Sequence, residues 1–311
     1  MLENRLSINI DKANIVYENI NYSIMKPLVI TLFISMLPSL LTISYAGDSG
    51  GKGSSVPSTG TNSLALDEQW SQFIQLVDNK DYGGLENFLE NLEDKQSFLE
   101  SQYTEEDEEV TYTPLHYASM KSVPSMIELL ISQGANVNAI ATNQATPLHY
   151  AVAARRENAV QCLLLANASL KSGDEKKFTP LSVAILRAYR AHQRYQAYRA
   201  YQEYQKYLDL VKCIKCIIEY RIQHHEYRQE ENKAILAAQD NLDNTPVHYA
   251  FSSGDEAIAT QIVALLTRLD PSDIEHIMQM KNKDGKTPQE AIQNQSSLSA
   301  LQKKINQKIL K

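Results

Sequence analysis

A chain of 311 residues, 43% hydrophobic and 22% charged, is long enough for one large or two ordinary globular domains and has the composition of a folded protein. Only 11 glycines and 10 prolines favour helix over a turn-rich β fold. The formal charge of −7 gives no general reason to expect nucleic-acid binding, and three cysteines (Cys162, Cys213, Cys216) are too few and too clustered for a disulfide framework.

The N-terminal region reads as an address. From Met25 the chain runs MKPLVITLFISMLPSLLTISYAGDSG: a lysine, an uncharged stretch from Pro27 to Tyr45, then small residues at Ser44 and Ala46. This three-part pattern is that of a secretory signal with cleavage after Ala46. Residues 1–24 mix Glu3, Arg5, Asp11, Lys12 and Glu18, so Met25 is the expected start. The alternative is a retained anchor, since roughly 20 apolar residues span a bilayer. Residues 47–65, rich in Gly and Ser, read as a flexible linker.

Next comes DEQWSQFIQLVDNKDYGGLENFLENLEDK, with Trp70, Phe73, Ile74 and Val77, then Leu85, Phe88, Leu89 and Leu92, at helical spacing. It predicts a pair of amphipathic helices joined near Tyr82-Gly83-Gly84 that caps whatever follows, over 66–104. Beyond it the chain is periodic. TPLHYA occurs at 113–118 and again at 146–151, TPLSVA at 179–184, TPVHYA at 245–250 and TPQEAI at 287–292. The spacings are 33, 33, 66 and 42 residues. In each, Thr suits a helix N-cap and Pro the first helical position. Leu115, Leu148, Leu181 and Val247 are expected inside, and the alanines three residues later are small enough to let a second helix approach. Gly134 and Asn167 can each end a second helix in the left-handed conformation. The polar amphipathic stretch 295–311 predicts a C-terminal cap.

This pattern resembles the ankyrin repeat over about 105–294. The resemblance implies an all-α solenoid of stacked helix-turn-helix units with hairpin-like turns, no catalysis, and protein binding in the groove between turn tips and first helices. By register the groove positions are Tyr112, Met120, Lys121, Thr142, Asn143, Ala145, Lys176, Phe178, Arg187 and Asn244, with Tyr112, Met120 and Phe178 as exposed apolar candidates. It also implies that His116, His149 and His248 are scaffold bonded to local backbone, and that Tyr117, Tyr150 and Tyr249 are framework. Two departures stand out. The glycine that separates the helices is Ser122, then Arg155, and returns only as Gly254; at AIATNQATP the turn's Asp and Gly are replaced by Ala141 and Gln144. Less regular turns are expected there.

The repeat at Thr179 is overgrown. Its second helix is best matched by VKCIKCIIEY, 211–220, about 21 residues later than the neighbouring repeat requires. No Gly or Pro falls between Leu181 and Thr245. Good helix formers fill the gap, so a long helical hairpin is expected over about 188–233, its turn near Arg199 to Gln202. A degenerate repeat at 212–244 is the competing account. Within it a tyrosine falls on every third residue from Tyr195 to Tyr207. Steps of three drift by about −60° around a helix, so these rings cannot all share one face. They are either expanded scaffold or a second contact carried by Tyr195, Tyr198, Arg199, Tyr201 and Tyr204. Arg187 to Lys233 holds ten Lys/Arg against six Asp/Glu, which leaves an alternative reading as a nucleic-acid binder.

Other motifs read as structure. Cys213-x-x-Cys216 stands without a second pair and within an apolar helical run; His224-His225 lies on a polar helix; EEDEE, 105–109, is a solvated loop or a contact for a basic partner. No nucleophile-base constellation, phosphate loop or zinc spacing is present, so no catalytic residue, no metal, no cofactor and no small-molecule substrate are expected. The sequence thus predicts an exported, periplasmic or host-directed binder of another protein, with a membrane-anchored scaffold as the alternative.

Overall fold

The computed structural model describes residues 60–104, 110–121, 123–223 and 229–310, with side chains from Leu66 onward. The signal and anchor readings, the linker up to 59, the acidic run, Ser122 and His224-His225 lie outside the described residues. Within that range are fifteen α-helices and one short hairpin ladder.

The first helix, α1 (Gly60–Asp78), begins inside the stretch read as linker, whose last residues include the helix formers Leu64 and Ala65. It packs on α2 (Tyr82–Glu90), and α3 (Lys95–Glu100) follows. Asp81 caps α2 by accepting from Gly84 N–H at 2.9 Å, so the joint lies at residues 79–81, just before the expected glycines. Trp70, Phe73, Phe88 and Phe98 are buried together, with ring centroids 5.3–5.6 Å apart in the contacts that link them. Two two-residue strands, β1 (Tyr103–Thr104) and β2 (Thr111–Tyr112), pair antiparallel and bring the chain to the first full repeat.

Four helix pairs follow: α4 (Pro114–Lys121) with α5 (Pro124–Ser132), α6 (Pro147–Ala153) with α7 (Glu157–Leu165), α8 (Pro180–Tyr198) with α9 (Tyr201–Gln223), and α11 (Pro246–Ser252) with α12 (Glu256–Leu266). First helices pack in one row, α4 on α6 on α8 on α11, and second helices in another, α5 on α7 on α9 on α12. Leu115, Leu148, Leu181 and Val247 are fully buried, as are Ala118, Ala151, Ala184 and Ala250. A single helix pair cannot cover its apolar face, so each repeat is completed by the next. Two short helices sit between repeats: α10 (Gln229–Ala237), and α13 (Pro271–Gln279), which accounts for the 42-residue spacing. The stack ends with α14 (Pro288–Gln293), a 3₁₀ turn (Ser296–Leu298) and α15 (Ser299–Ile309), which buries Ile305 and turns its lysines outward.

Residues 212–244 are not a repeat. α9 continues unbroken to Gln223 and packs as the second helix of its unit against α7 and α12, with Cys213, Ile214, Ile217 and Ile218 fully buried. α8 has 19 residues where α6 has 7, and α9 has 23 where α7 has 9. The arms therefore extend about 18–21 Å beyond the ordinary helix lengths.

The expected irregularity of the turns is corrected. At all four the same two backbone bonds form: Ala141, Asp174, Asp240 and Asn282 donate to the carbonyl four residues on (3.0 Å each), and Gln144, Lys177, Asp243 and Gly285 donate back three (2.7–2.9 Å). Gln144, Lys177 and Asp243 adopt φ of 58–61°, close to Gly285 at 75°. The loss of Asp at position 141 is offset by Asn143, whose Oδ1 accepts from Ala145 N–H at 3.1 Å.

Candidate partner-binding groove

The turns also bond to one another. Glu175 N–H donates to Asn143 O, Asn241 N–H to Lys176 O and Lys283 N–H to Leu242 O, at 2.9–3.1 Å. A row of tips results, and histidines tie it to the first helices. Thr113, Thr146 and Thr245 donate their N–H to Nδ1 of His116, His149 and His248 at 3.0–3.2 Å. With Nδ1 accepting, Nε2 carries the proton and donates to the next turn: to Ala145 O (3.0 Å), Phe178 O (2.9 Å) and Lys286 O (3.1 Å). Each ring therefore holds the helix start of one repeat and the turn of the next. Burial pushes His116 down to about 4 and lowers His149 and His248, so the neutral form is the structural one. The unit at Thr179 has Ser182 instead and lacks this tie.

Between tips and first helices, at the second and third repeats, lies a cavity of about 400 Å³. Tyr150, Ala153, Phe178, Val183 and Leu186 form its apolar wall. Asn143, Asp174, Lys176, Arg187 and Arg190 form its polar rim. Val183, Leu186, Arg187 and Arg190 follow i, i+3, i+4, i+7 spacing on α8, so one helix face supplies both kinds of surface. Phe178 sits half-buried against Tyr249, centroids 6.2 Å apart. Asp174 is committed to its turn, its Oδ1 accepting from Lys176 and Phe178 N–H, both at 2.9 Å. Arg187 donates to Ala153 O at 3.3 Å. Its pKa is lowered by burial, then by the neighbouring charges of Arg155 and Arg190.

Of the ten groove positions expected, Asn143, Ala145, Lys176, Phe178 and Arg187 come together at this cavity. Ala145 is buried, its carbonyl accepting from Ala141 N–H and His116 Nε2. Tyr112 is not an exposed candidate: it is 1% exposed, because its strand places the ring among Trp70, Tyr103, Tyr117 and Tyr150. Met120 is half-buried and packs on the core, its carbonyl accepting from Arg156 Nε at 3.0 Å. Lys121 pairs with Asp78 at 2.8 Å and lies over the Tyr117 ring. Thr142 Oγ1 accepts from Thr111 N–H at 2.9 Å. Asn244 donates to Tyr249 Oη and accepts from Asn282, farther along the row. Tyr150, Leu186 and Arg190 were not among the expected positions. The signal for the last two was available in the face shared with Arg187; Tyr150 looked like framework because its register matches Tyr117, which is 2% exposed and hydrogen-bonded to Asp78.

The tyrosine hairpin divides at Arg199, which ends α8 with φ 52°. Tyr195 and Tyr204 meet across the arms at 4.8 Å, Tyr204 lies on Tyr207 at 6.0 Å, and Tyr207 is buried edge-on to His192. His192 Nδ1 lies 3.0 Å from Asp255 Oδ2, where the hairpin meets the start of α12. Two of the five residues read as a second contact, Tyr195 and Tyr204, therefore serve arm-to-arm packing, whereas Tyr198 and Tyr201 are 72% and 74% exposed at the tip. Cys213 is raised to about 12 and Cys216 to about 11, chiefly by burial, so both are inert thiols of helix packing. Among the described residues no group of His, Cys, Asp or Glu could hold a metal ion, and no helix is long and apolar enough to cross a membrane.

No curated protein matches the chain. The family model for ankyrin repeats (three copies) matches residues 86–174 and 115–191, which span the first two full repeats and the groove wall supplied by α8. Over this span the chain is built of ankyrin repeats.

Proposed function

We propose that the chain is an exported, non-catalytic module that holds a partner protein in the groove at its second and third repeats. Ankyrin repeats are a protein-binding fold. The observation that carries the reading here is the cavity: an apolar wall of Tyr150, Phe178 and Leu186 with cations on its rim places aromatic and arginine side chains, the residue types enriched at interface centres, around one hollow. Its walls rest on the turn ladder and the histidine ties, so the surface is pre-organised and little ordering entropy opposes binding. Export rests on the Met25–Ala46 pattern alone.

Two measurements test this. Partners captured by the full chain are compared with those captured by Phe178→Ala/Leu186→Ala and by the tip variant Tyr198→Ala/Tyr201→Ala, with circular dichroism to show that all three fold. Loss with the groove variant alone is the expected result; loss with the tip variant alone moves the contact to the hairpin. Sequencing the N-terminus of the protein from its native host then decides export: a chain starting at Gly47 is expected, and one that retains Pro27–Tyr45 favours the anchored scaffold.

A further inference from the structure

The groove's charge is out of keeping with the chain's. The protein carries −7 overall, yet Arg187 and Arg190 stand side by side on the cavity rim with Arg155 close enough to perturb Arg187. Among the described residues none of the three is paired with a carboxylate; Arg187 makes one bond, to a backbone carbonyl. The acidic side chains nearby are already engaged. Asp174 accepts two turn amides, and Asp240, close to Arg190's neighbour Tyr249, accepts from Leu242 and Asn244 N–H and from the Tyr249 hydroxyl. Arg155 also holds a left-handed backbone, φ 62°, at the position where the later repeat has Gly254 at 65°. A non-glycine residue there is strained, and glycine would relieve it.

Like charges held together without counter-charges are costly unless a ligand supplies them. Guanidinium forks match carboxylates bidentately, and the aliphatic and aromatic wall beside them offers a seat for an apolar side chain. We propose that the groove recognises an acidic segment of the partner, with an apolar side chain against Phe178 and Leu186 and carboxylates on Arg187 and Arg190, with Arg155 adding to the field. The inference rests on the groove being the contact surface. A nucleic acid fits less well: Asp174 stands on the cavity rim beside the arginines, and Tyr150, Phe178 and Leu186 make much of the lining apolar.

The test is selection of dodecapeptides from a random displayed library on the immobilised full chain. Enrichment of Asp and Glu around one Leu, Ile, Phe or Tyr is expected. Binding of the selected peptides should weaken about tenfold in Arg187→Gln/Arg190→Gln and fall as NaCl rises from ~50 to ~500 mM. Arg190→Gln alone, which removes no hydrogen bond, guards against a folding effect and should weaken binding severalfold. Neutral or basic peptides that lose binding in Phe178→Ala but not in the arginine variants would overturn the acidic preference and leave the groove reading standing. Peptides indifferent to both sets of variants would overturn both, as would no enrichment at all. Tight, arginine-dependent binding of a single-stranded oligonucleotide in place of any peptide would replace the proposed partner class.

Discussion

The repeats that begin at Thr146 and Thr179 start with the same three residues and finish as different objects. In the first, the inner helix stops at Ala153 and Arg155 turns the chain in the left-handed conformation. In the second, the residue at Arg155's position is Ala188, and the helix runs on for ten more residues to Tyr198. Both inner helices bury Leu and Ala at the same register, and both outer helices bury the same kind of stripe. The stack thus tolerates a large insertion because each repeat is judged only at its contacts with its neighbours. What grows beyond those contacts must supply its own packing, here Tyr195, Tyr204 and Tyr207 between the arms.

The comparison is broken hardest by emptying the shared core. Leu148→Ala, at a fully buried site facing both neighbours, is expected to cost about 2–5 kcal/mol, while Tyr201→Ala at the hairpin tip should fall within about 0.5 kcal/mol of the parent. Urea unfolding of the two variants measures both. Equal losses would mean that the tip is packed on something.

Acid probes the ties that the regular repeats have and the hairpin repeat lacks. His116 is held down to about 4 against an ordinary value of 6.5, and His149 and His248 are lowered as well, all chiefly by burial. The unfolded chain therefore binds more protons below pH 6.5. The stabilisation is fully present above 6.5 and is lost as pH falls toward 4. For His116 alone it amounts to about 3 kcal/mol. Urea midpoints at several pH values between 7 and 4 should fall steadily, and His116→Gln should flatten the slope. An unchanged slope would show that the ring is not the proton acceptor.

How much of this was legible follows from where each signal lies in the chain. The helix pairs were, because Thr-Pro starts, buried Leu and Ala, and left-handed stops at Gly134 and Asn167 are local instructions. The hairpin was legible from the absence of Gly and Pro, and its turn fell near the middle of the insertion at Arg199. The turns were misjudged because their bonds run from backbone to backbone, so Gln144 and Lys177 can do what glycine does at a modest cost. Tyr112 was misjudged for the opposite reason. Its burial depends on Trp70, forty-two positions earlier, and on a strand pair that no periodicity announces. Half of the expected groove positions meet at one cavity because register predicts which residues face the groove. It does not predict which of them are consumed by their neighbours, as Lys121 is by Asp78.

Restoring the missing tie sharpens the comparison. Ser182→His would place a ring where His149 stands in the preceding repeat, with Asn244 O occupying the place of Phe178 O: each carbonyl closes its turn by accepting from the residue four earlier. A gain of about 1 kcal/mol in urea unfolding is expected, the net worth of a buried hydrogen bond, against a loss of about 1–3 kcal/mol for His149→Ala, which removes the acceptor of the buried Thr146 N–H. A loss on adding the ring would show that the hairpin repeat has closed over the space.

The smallest effect lies at Arg199. It ends α8 at φ 52°, and its N–H donates to Tyr195 O at 2.7 Å, the bond of a left-handed helix stop. Glycine would adopt this conformation without the Cβ penalty, so Arg199→Gly should add about 0.5–1 kcal/mol if the arms are a fixed part of the fold. Differential scanning calorimetry and the exchange of amides in 195–204 read the two consequences separately. A higher melting temperature with slower exchange is the signature of a hairpin held at this turn. If melting is unchanged and the amides exchange freely in both proteins, the arms open independently of the stack. Arginine at the turn would then serve the exposed Tyr198–Tyr201 tip and not the fold.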